Sequence, residues 1–203
     1  MFEEYESSTV IRCISNDGLV DYYPQFLNQA QSDSLLHELQ FLDNFTQNEI
    51  SLFGKRIKVP RMEAYFALNG EKYGYSGQQL QPKIFPAFLN ELRLRVELLT
   101  GQTYNALLIN WYRNGQDSNG WHSDDERELG INPSIASISL GAERIFELKH
   151  LKTGQKSKLL LSHGSLLHMH GTLQHHYKHQ LPKQNGLVKP RFNLTFRKIQ
   201  PSS

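Results

Sequence analysis

Cysteine is almost missing from this chain: Cys13 stands alone among 203 residues. A disulfide framework, a Cys-rich zinc site and a C-x-x-C redox motif are thereby excluded. Long apolar runs are missing too. Segments such as Leu159-Leu160-Leu161 are far shorter than the ~20 residues of a membrane helix. The start, Met1-Phe2-Glu3-Glu4, has neither the basic region nor the apolar stretch of a secretory leader. These absences predict a soluble intracellular protein with no membrane partner. With 38% hydrophobic and 21% charged residues, the chain can build a core and is too balanced for disorder. Its length suits one domain, and a monomer is expected.

Acids are absent from one end. Residues 148–203 carry ten Lys and Arg and no Asp or Glu, whereas residues 1–50 carry nine acids and a single base, Arg12. Either a polyanion binds the basic end, or the acidic start folds over it.

Ser32-Asp33-Ser34 ahead of Leu35, Leu36, Leu39 and Leu42 predicts a capped amphipathic helix over 32–42. A second helix is expected from Pro82 to Thr100, where Ile84, Phe85, Phe88, Leu89, Leu92, Val96 and Leu99 recur at helical spacing before Gly101. Beyond it the period shortens. Strands are predicted over 105–113, 135–140, 145–149, 159–162, 165–169 and 192–197. The fold class is therefore α+β, mainly β: a jelly roll, or double-stranded β-helix, with the N-terminal helices packed outside. No strand-helix alternation suggests a doubly wound nucleotide fold.

Seven of the nine histidines fall between His150 and His179. More pointed is Trp121-His122-Ser123-Asp124, which sets an imidazole and a carboxylate two residues apart. In extended chain such residues share a face. A further histidine would complete a two-His-one-carboxylate triad, which leaves coordination positions open and suits non-haem Fe(II) oxygenases. Spacing alone leaves His175, His176 and His179 all open for that role. Arg191, Asn193, Thr195 and Arg197 share one face of the last strand. An inward arginine there needs an anion, most naturally a carboxylate.

His122-x-Asp124, Tyr177-Lys178-His179 and Pro190-Arg191-Phe192-Asn193-Leu194-Thr195-Phe196-Arg197 together resemble the AlkB family of Fe(II)- and 2-oxoglutarate-dependent nucleic-acid dealkylases. The resemblance runs from about residue 52 to 199 and is closest to the duplex-DNA-acting homologues. It includes Asp124-Asp125-Glu126-Arg127-Glu128-Leu129, Gly101-Gln102-Thr103 and His163-Gly164-Ser165-Leu166-Leu167. It implies one catalytic domain over 1–203, with an acidic extension (1–50), a nucleotide-recognition hairpin region (51–81) and a jelly-roll core (104–199). His122, Asp124 and His179 would ligate the iron. Arg197 would hold the far carboxylate of 2-oxoglutarate and Arg191 its iron-chelating end, with Asn110, Tyr112 and Thr195 also on the cosubstrate. Asp125, with Glu126, would meet the damaged base, and Tyr75, with Tyr73 beside it, would stack on it. Phe53 would wedge into the gap left by the flipped base, with Lys55, Arg56, Lys58 and Arg61 on phosphates.

The implied reaction is oxidative demethylation of bases such as 1-methyladenine and 3-methylcytosine in DNA. It consumes O2 and 2-oxoglutarate and releases formaldehyde. Two other readings fit the residues: the same oxygenase chemistry on RNA or protein, and a non-catalytic nucleic-acid-binding jelly roll.

Overall fold

A computed structural model describes residues 9–52, 54–75, 78–186 and 189–200. In chain order it begins with β1 (Ile11–Ile14), β2 (Leu19–Tyr23), α1 (Gln29–Gln40), β3 (Glu49–Leu52), β4 (Lys55–Lys58) and β5 (Met62–Ala67). Then come β6 (Tyr73–Tyr75), β7 (Gln78–Leu80), α2 (Ala87–Thr100), β8 (Ala106–Tyr112), β9 (Asn119–His122) and β10 (Ile135–Gly141). The chain closes with β11 (Arg144–His150), β12 (Lys156–Leu161), β13 (Ser165–His170), the single turn α3 (Leu173–His176), β14 (Tyr177–Leu181) and β15 (Arg191–Arg197). Among the described residues no helix is long and apolar enough to cross a membrane.

Two antiparallel sheets face each other, in the order β1-β2-β13-β10-β15-β8-β5 and β12-β11-β14-β9. This is the expected jelly roll. Strand β15 shows why its sequence alternates. Phe192, Leu194 and Phe196 join a core with Leu39 of α1 and Leu89, Leu92 and Val96 of α2. Arg191, Asn193, Thr195 and Arg197 face the other way, toward the smaller sheet, and every residue of the strand is buried. A second apolar core, including Val20, Leu108, Leu148 and Met169, fills the rest of the space between the sheets.

Both helices begin elsewhere than their sequence suggests. Helix α1 is capped by Asn28, whose side chain accepts from Gln31 N–H while Gln31 Oε1 accepts from Asn28 N–H. This capping box lies one turn earlier than the expected Ser32 cap. Ser32 is instead buried inside the helix and its hydroxyl donates to Asn28 O. A side chain at Gly164 would collide with Ser32 Oγ at 2.3 Å and Leu27 O at 2.7 Å, so only glycine lets this helix start dock on the β12–β13 turn. Helix α2 starts at Ala87 because Pro82 and Pro86 precede it, and Ile84, expected in its apolar face, is exposed. Its end agrees: Gly101 closes it at φ +66°.

The first fifty residues carry no motif, yet they are not merely an appendage. Strand β2 pairs along β13 and β1 along β2, so residues 11–23 complete the larger sheet, and β5 closes its other edge. Their acids meet histidines, not lysines: Asp17 with His150 at 3.0 Å, Asp21 with His170 at 3.0 Å and Asp33 with His163 at 3.2 Å. The acidic start thus does fold onto the C-terminal half. Lys149, Lys156 and Lys178 nevertheless stand exposed and side by side across three strands of the smaller sheet.

Candidate active site

Strands β9 and β14 pair so that His122 lies opposite His179. Their rings pack edge to face with centroids 4.2 Å apart. Asp124 follows two residues later, its N–H donating to Gln174 Oε1 at 2.9 Å, while Ser123 Oγ donates to Tyr177 O. These bonds pin the segment after β9 to α3 and turn the carboxylate inward. His122, Asp124 and His179 then offer three donor atoms within 4.8 Å of one another. Nδ1 of His122 lies 2.8 Å from Gly120 O, the kind of outer hydrogen bond that orients a ligating imidazole; this makes Nε2, now 3.3 Å from Asn119 Nδ2, the nitrogen that would meet an ion. His175 lies instead at Asn132 and His176 stacks on His150, so neither competes with His179.

The electrostatics suit a dication. Burial pushes His179 down to about 3 and lowers His122 as well, so both imidazoles are neutral, as ligands must be. Burial alone would raise Asp124, but Arg197 and the two imidazoles hold its carboxyl well below the usual range. Two nitrogens and one carboxylate oxygen, with a pocket in front of them, fit non-haem iron.

Geometry sets Arg197, not Arg191, at the triad. Arg197 Nη2 donates to Asp124 Oδ1 at 2.8 Å, which puts Arg197 at the triad. Arg191, six residues along the same strand face, sits at the opposite end of the pocket. It donates to Ser139 Oγ and Asn193 Oδ1, both at 2.8 Å, and lies over the Tyr112 ring. Six strand residues span roughly 20 Å of backbone, so Arg191 lies far from the triad, and Arg197 braces Asp124. Buried N–H groups on both arginines lack an acceptor: Nε on Arg191, and Nε and Nη1 on Arg197. A small dianion with a carboxylate at each end is what such a pocket lacks, and 2-oxoglutarate fits that description.

Asn110, Tyr112 and Thr195, the candidate cosubstrate contacts, line the same pocket. Asn193, placed on that strand face by the alternation, joins them, as do Ser137 and Asn119, while Ser139 reaches the pocket through Arg191; neither serine nor Asn119 was singled out. Extending the alternation argument to Ser137-Ile138-Ser139, opposite Thr195 and Asn193 across the sheet, would have found the two serines. Nothing in the sequence marks Asn119 or Glu63.

The substrate-side residues divide. Asp125 is exposed beside the triad, and Lys55, Arg56 and Lys58 are exposed on β4. Phe53 lies outside the described residues. Arg61 is not on the surface: only 5% exposed, it pairs with Glu63 and donates to Asn110, Asn119 and Tyr75. The Val59-Pro60-Arg61 turn aims it inward, where burial is the largest single influence on its charge but Glu63, Tyr112 and Tyr75 together outweigh it. Tyr73 is likewise interior, 2% exposed and beneath the Arg197 guanidinium, so it supports the pocket and cannot stack on a base. Tyr75 is half-buried, its hydroxyl held by Glu63 and Arg61. Glu126 is raised to about 7 by burial and by the neighbouring Asp124 carboxylate, and its Oε2 is buried, so it is not the solvated end of an acidic loop.

Comparisons with known proteins agree with this geometry. Residues 19–197 match the 2OG-Fe(II) oxygenase superfamily. The chain is 40% identical over 201 residues to Bos taurus DNA oxidative demethylase ALKBH2, covering 94% of this chain and 72% of the relative. The Homo sapiens protein of that name is 40% identical over 199 residues, covering 93% and 76%. Homo sapiens alpha-ketoglutarate-dependent dioxygenase alkB homolog 3 is 37% identical over 190 residues, covering 88% and 65%. The solved structure of OsALKBH1 shares the fold, with a TM-score of 0.65 at 16% identity over 88% of this chain and 97% of that one. Triad, buried arginine pair and jelly roll thus converge with these likenesses: the chain belongs to the AlkB family of 2OG-Fe(II) oxygenases, dioxygenases that use Fe(II), 2-oxoglutarate and O2.

Proposed function

We propose that this protein repairs DNA by oxidative demethylation, removing methyl groups from bases such as 1-methyladenine and 3-methylcytosine as formaldehyde. The observation that carries the reading is the buried, anion-seeking pocket of Arg191 and Arg197 beside the His122, Asp124 and His179 triad. Relatives at 40% identity bear the name DNA oxidative demethylase. Iron and 2-oxoglutarate, when bound, supply the oxidant that hydroxylates the methyl group.

The chain's own residues do the positioning. His122, Asp124 and His179 hold the metal. Arg191 takes the far carboxylate of 2-oxoglutarate, with Tyr112 beneath it. Arg197 fixes Asp124 so that one carboxylate oxygen is free for the ion. Asn110 and Thr195 border the cosubstrate. At the mouth, Asp125 offers a carboxylate to the cationic methylated base, and Tyr75 offers a ring anchored by Glu63 and Arg61. Stacking on such a ring is worth about 1–3 kcal/mol per base and offsets extraction from the helix. Phe53, which the sequence places between β3 and β4, is the candidate to fill the vacated stack, and Lys55, Arg56 and Lys58 engage phosphates. A monomer suffices, working inside the cell where DNA is.

Mass spectrometry tests this with Fe(II), 2-oxoglutarate, ascorbate and air. Substrates are single- and double-stranded DNA oligomers carrying either lesion. Loss of one methyl mass, dependent on 2-oxoglutarate and absent in His179→Ala, is expected. Succinate without demethylated DNA would redirect the chemistry to RNA or protein. Neither product from iron-loaded protein would leave only a binding module.

A further inference from the structure

Strands β2 and β13 assemble a second set of two histidines and one aspartate, on the face of the larger sheet opposite the pocket. His168 and His170 are two apart on β13 and so share a face, while Met169 between them points into the pocket. Asp21 of β2 lies directly opposite His168. The two rings stack nearly parallel with centroids 4.2 Å apart, and the three residues offer donor atoms within 4.8 Å of one another. No step of the proposed reaction uses them.

The geometry resembles a metal site in three respects. First, His170 Nε2 is 3.0 Å from Asp21 Oδ2; donors about 2.0–2.1 Å from a tetrahedral ion stand roughly 3.3 Å apart. Second, His168 Nε2 is 2.8 Å from Ser134 Oγ, an outer hydrogen bond of the kind that fixes a ligating imidazole. Third, Asp21 is braced by Arg12 just as Asp124 is braced by Arg197. Arg12 is half-exposed and can withdraw into solvent, and the His170 side chain, 26% exposed, leaves a path for water as a fourth ligand.

We propose that Asp21, His168 and His170 form a second divalent-metal site, suited to borderline ions such as Zn(II), that staples the N-terminal hairpin β1–β2 to the sheet. Imidazole and carboxylate donors favour such ions over Mg(II) or Ca(II). The role is structural, and no turnover depends on it.

Zinc chloride titrated calorimetrically into untagged, chelator-treated protein tests this. The background is His122→Ala/His179→Ala, which removes both imidazoles of the active site. That variant should bind one zinc per chain and melt at a higher temperature with zinc. Adding His170→Ala, or the milder His170→Gln, should abolish both effects while the metal-free melting curve stays cooperative. In the otherwise native chain, His170→Gln should keep one equivalent of zinc and full iron-dependent turnover. Arg12→Ala in the background variant should tighten zinc binding by up to roughly thirtyfold, the effect of removing a unit positive charge about 4 Å from a dication in water. Equal zinc binding with and without His170, no zinc in the background variant, or weaker binding after Arg12→Ala would each overturn the proposal.

Discussion

Arg191 and Arg197 are the same residue type on the same face of the same strand, and both are buried. Their charges are nevertheless treated oppositely. Arg197 has Asp124 at 2.8 Å and is raised above an ordinary guanidinium despite its burial. Arg191 has only Ser139, Asn193 and the Tyr112 ring, and burial pushes it down to about 10. Among the described residues no carboxylate pairs with Arg191. A buried cation left without its anion destabilises the protein unless a ligand supplies one. The difference teaches which arginine finds its anion within the fold and which still lacks one.

The sharpest way to break this comparison is to remove Arg197. Arg197→Met leaves Asp124 charged and buried beside neutral imidazoles. The metal-free protein should lose about 3–5 kcal/mol of stability, the usual cost of orphaning one member of a buried pair. Denaturant melts should show the loss, and Fe(II) or another divalent ion should recover part of it.

Arg191→Gln should do the opposite. Charge-assisted hydrogen bonds contribute about 1.5–3 kcal/mol, so the KM for 2-oxoglutarate should rise roughly 10- to 150-fold. Metal-free stability should be unchanged or higher. If Arg191→Gln destabilised the chain as severely as Arg197→Met, the division of labour would fail.

Acid tests the environment around Asp124 and its outer counterpart. Burial holds His179 down to about 3 and His168 to about 4, against 6.5 for a free imidazole. Between pH 6.5 and about 4 the unfolded chain therefore takes up protons that the native state refuses, and stability falls on acidification. Each histidine contributes up to about 1.4 kcal/mol per pH unit. Glu126, raised to about 7, acts in the reverse sense: it favours the fold below pH 4.5, and that favour fades as pH rises through 7. Two imidazoles outweigh one carboxyl, so the melting temperature of the metal-free protein should drop from pH 6 to 4.5. His168→Gln should flatten that slope.

The smallest effect is expected from Tyr75→Phe. Glu63 keeps Arg61 and Asn48 as partners, so the loss should be about 0.5–1.5 kcal/mol in stability, with KM for 2-oxoglutarate unmoved.

Much of this was readable in the sequence because alternation is a local property. The period of Phe192 to Arg197 assigns its two faces before any fold is known, and H-x-D places two ligands on one side. Which end of a strand meets which partner is not local. The order of Arg191 and Arg197 along the pocket depends on where β9 crosses β15, and the sequence is silent on that crossing. Arg61 misled for a related reason: a basic run looks solvated until the pairing of β5 with β8 puts Glu63 and Asn110 beside it. The short N-terminal strands went unseen because four or five residues carry too little pattern, and β13 recruits them from far along the chain.

The pairing of β2 with β13 also governs how the protein is born. Tyr23 must find Leu166 and Leu19 must find His170. On a ribosome the first strands therefore emerge long before their partner exists, and the sheet cannot close until nearly the whole chain is out. Such long-range pairing slows folding and exposes unpaired edges in the interval. The early excess of acid, nine carboxylates against Arg12, keeps that waiting segment charged and soluble until the histidines that will take up Asp17, Asp21 and Asp33 arrive.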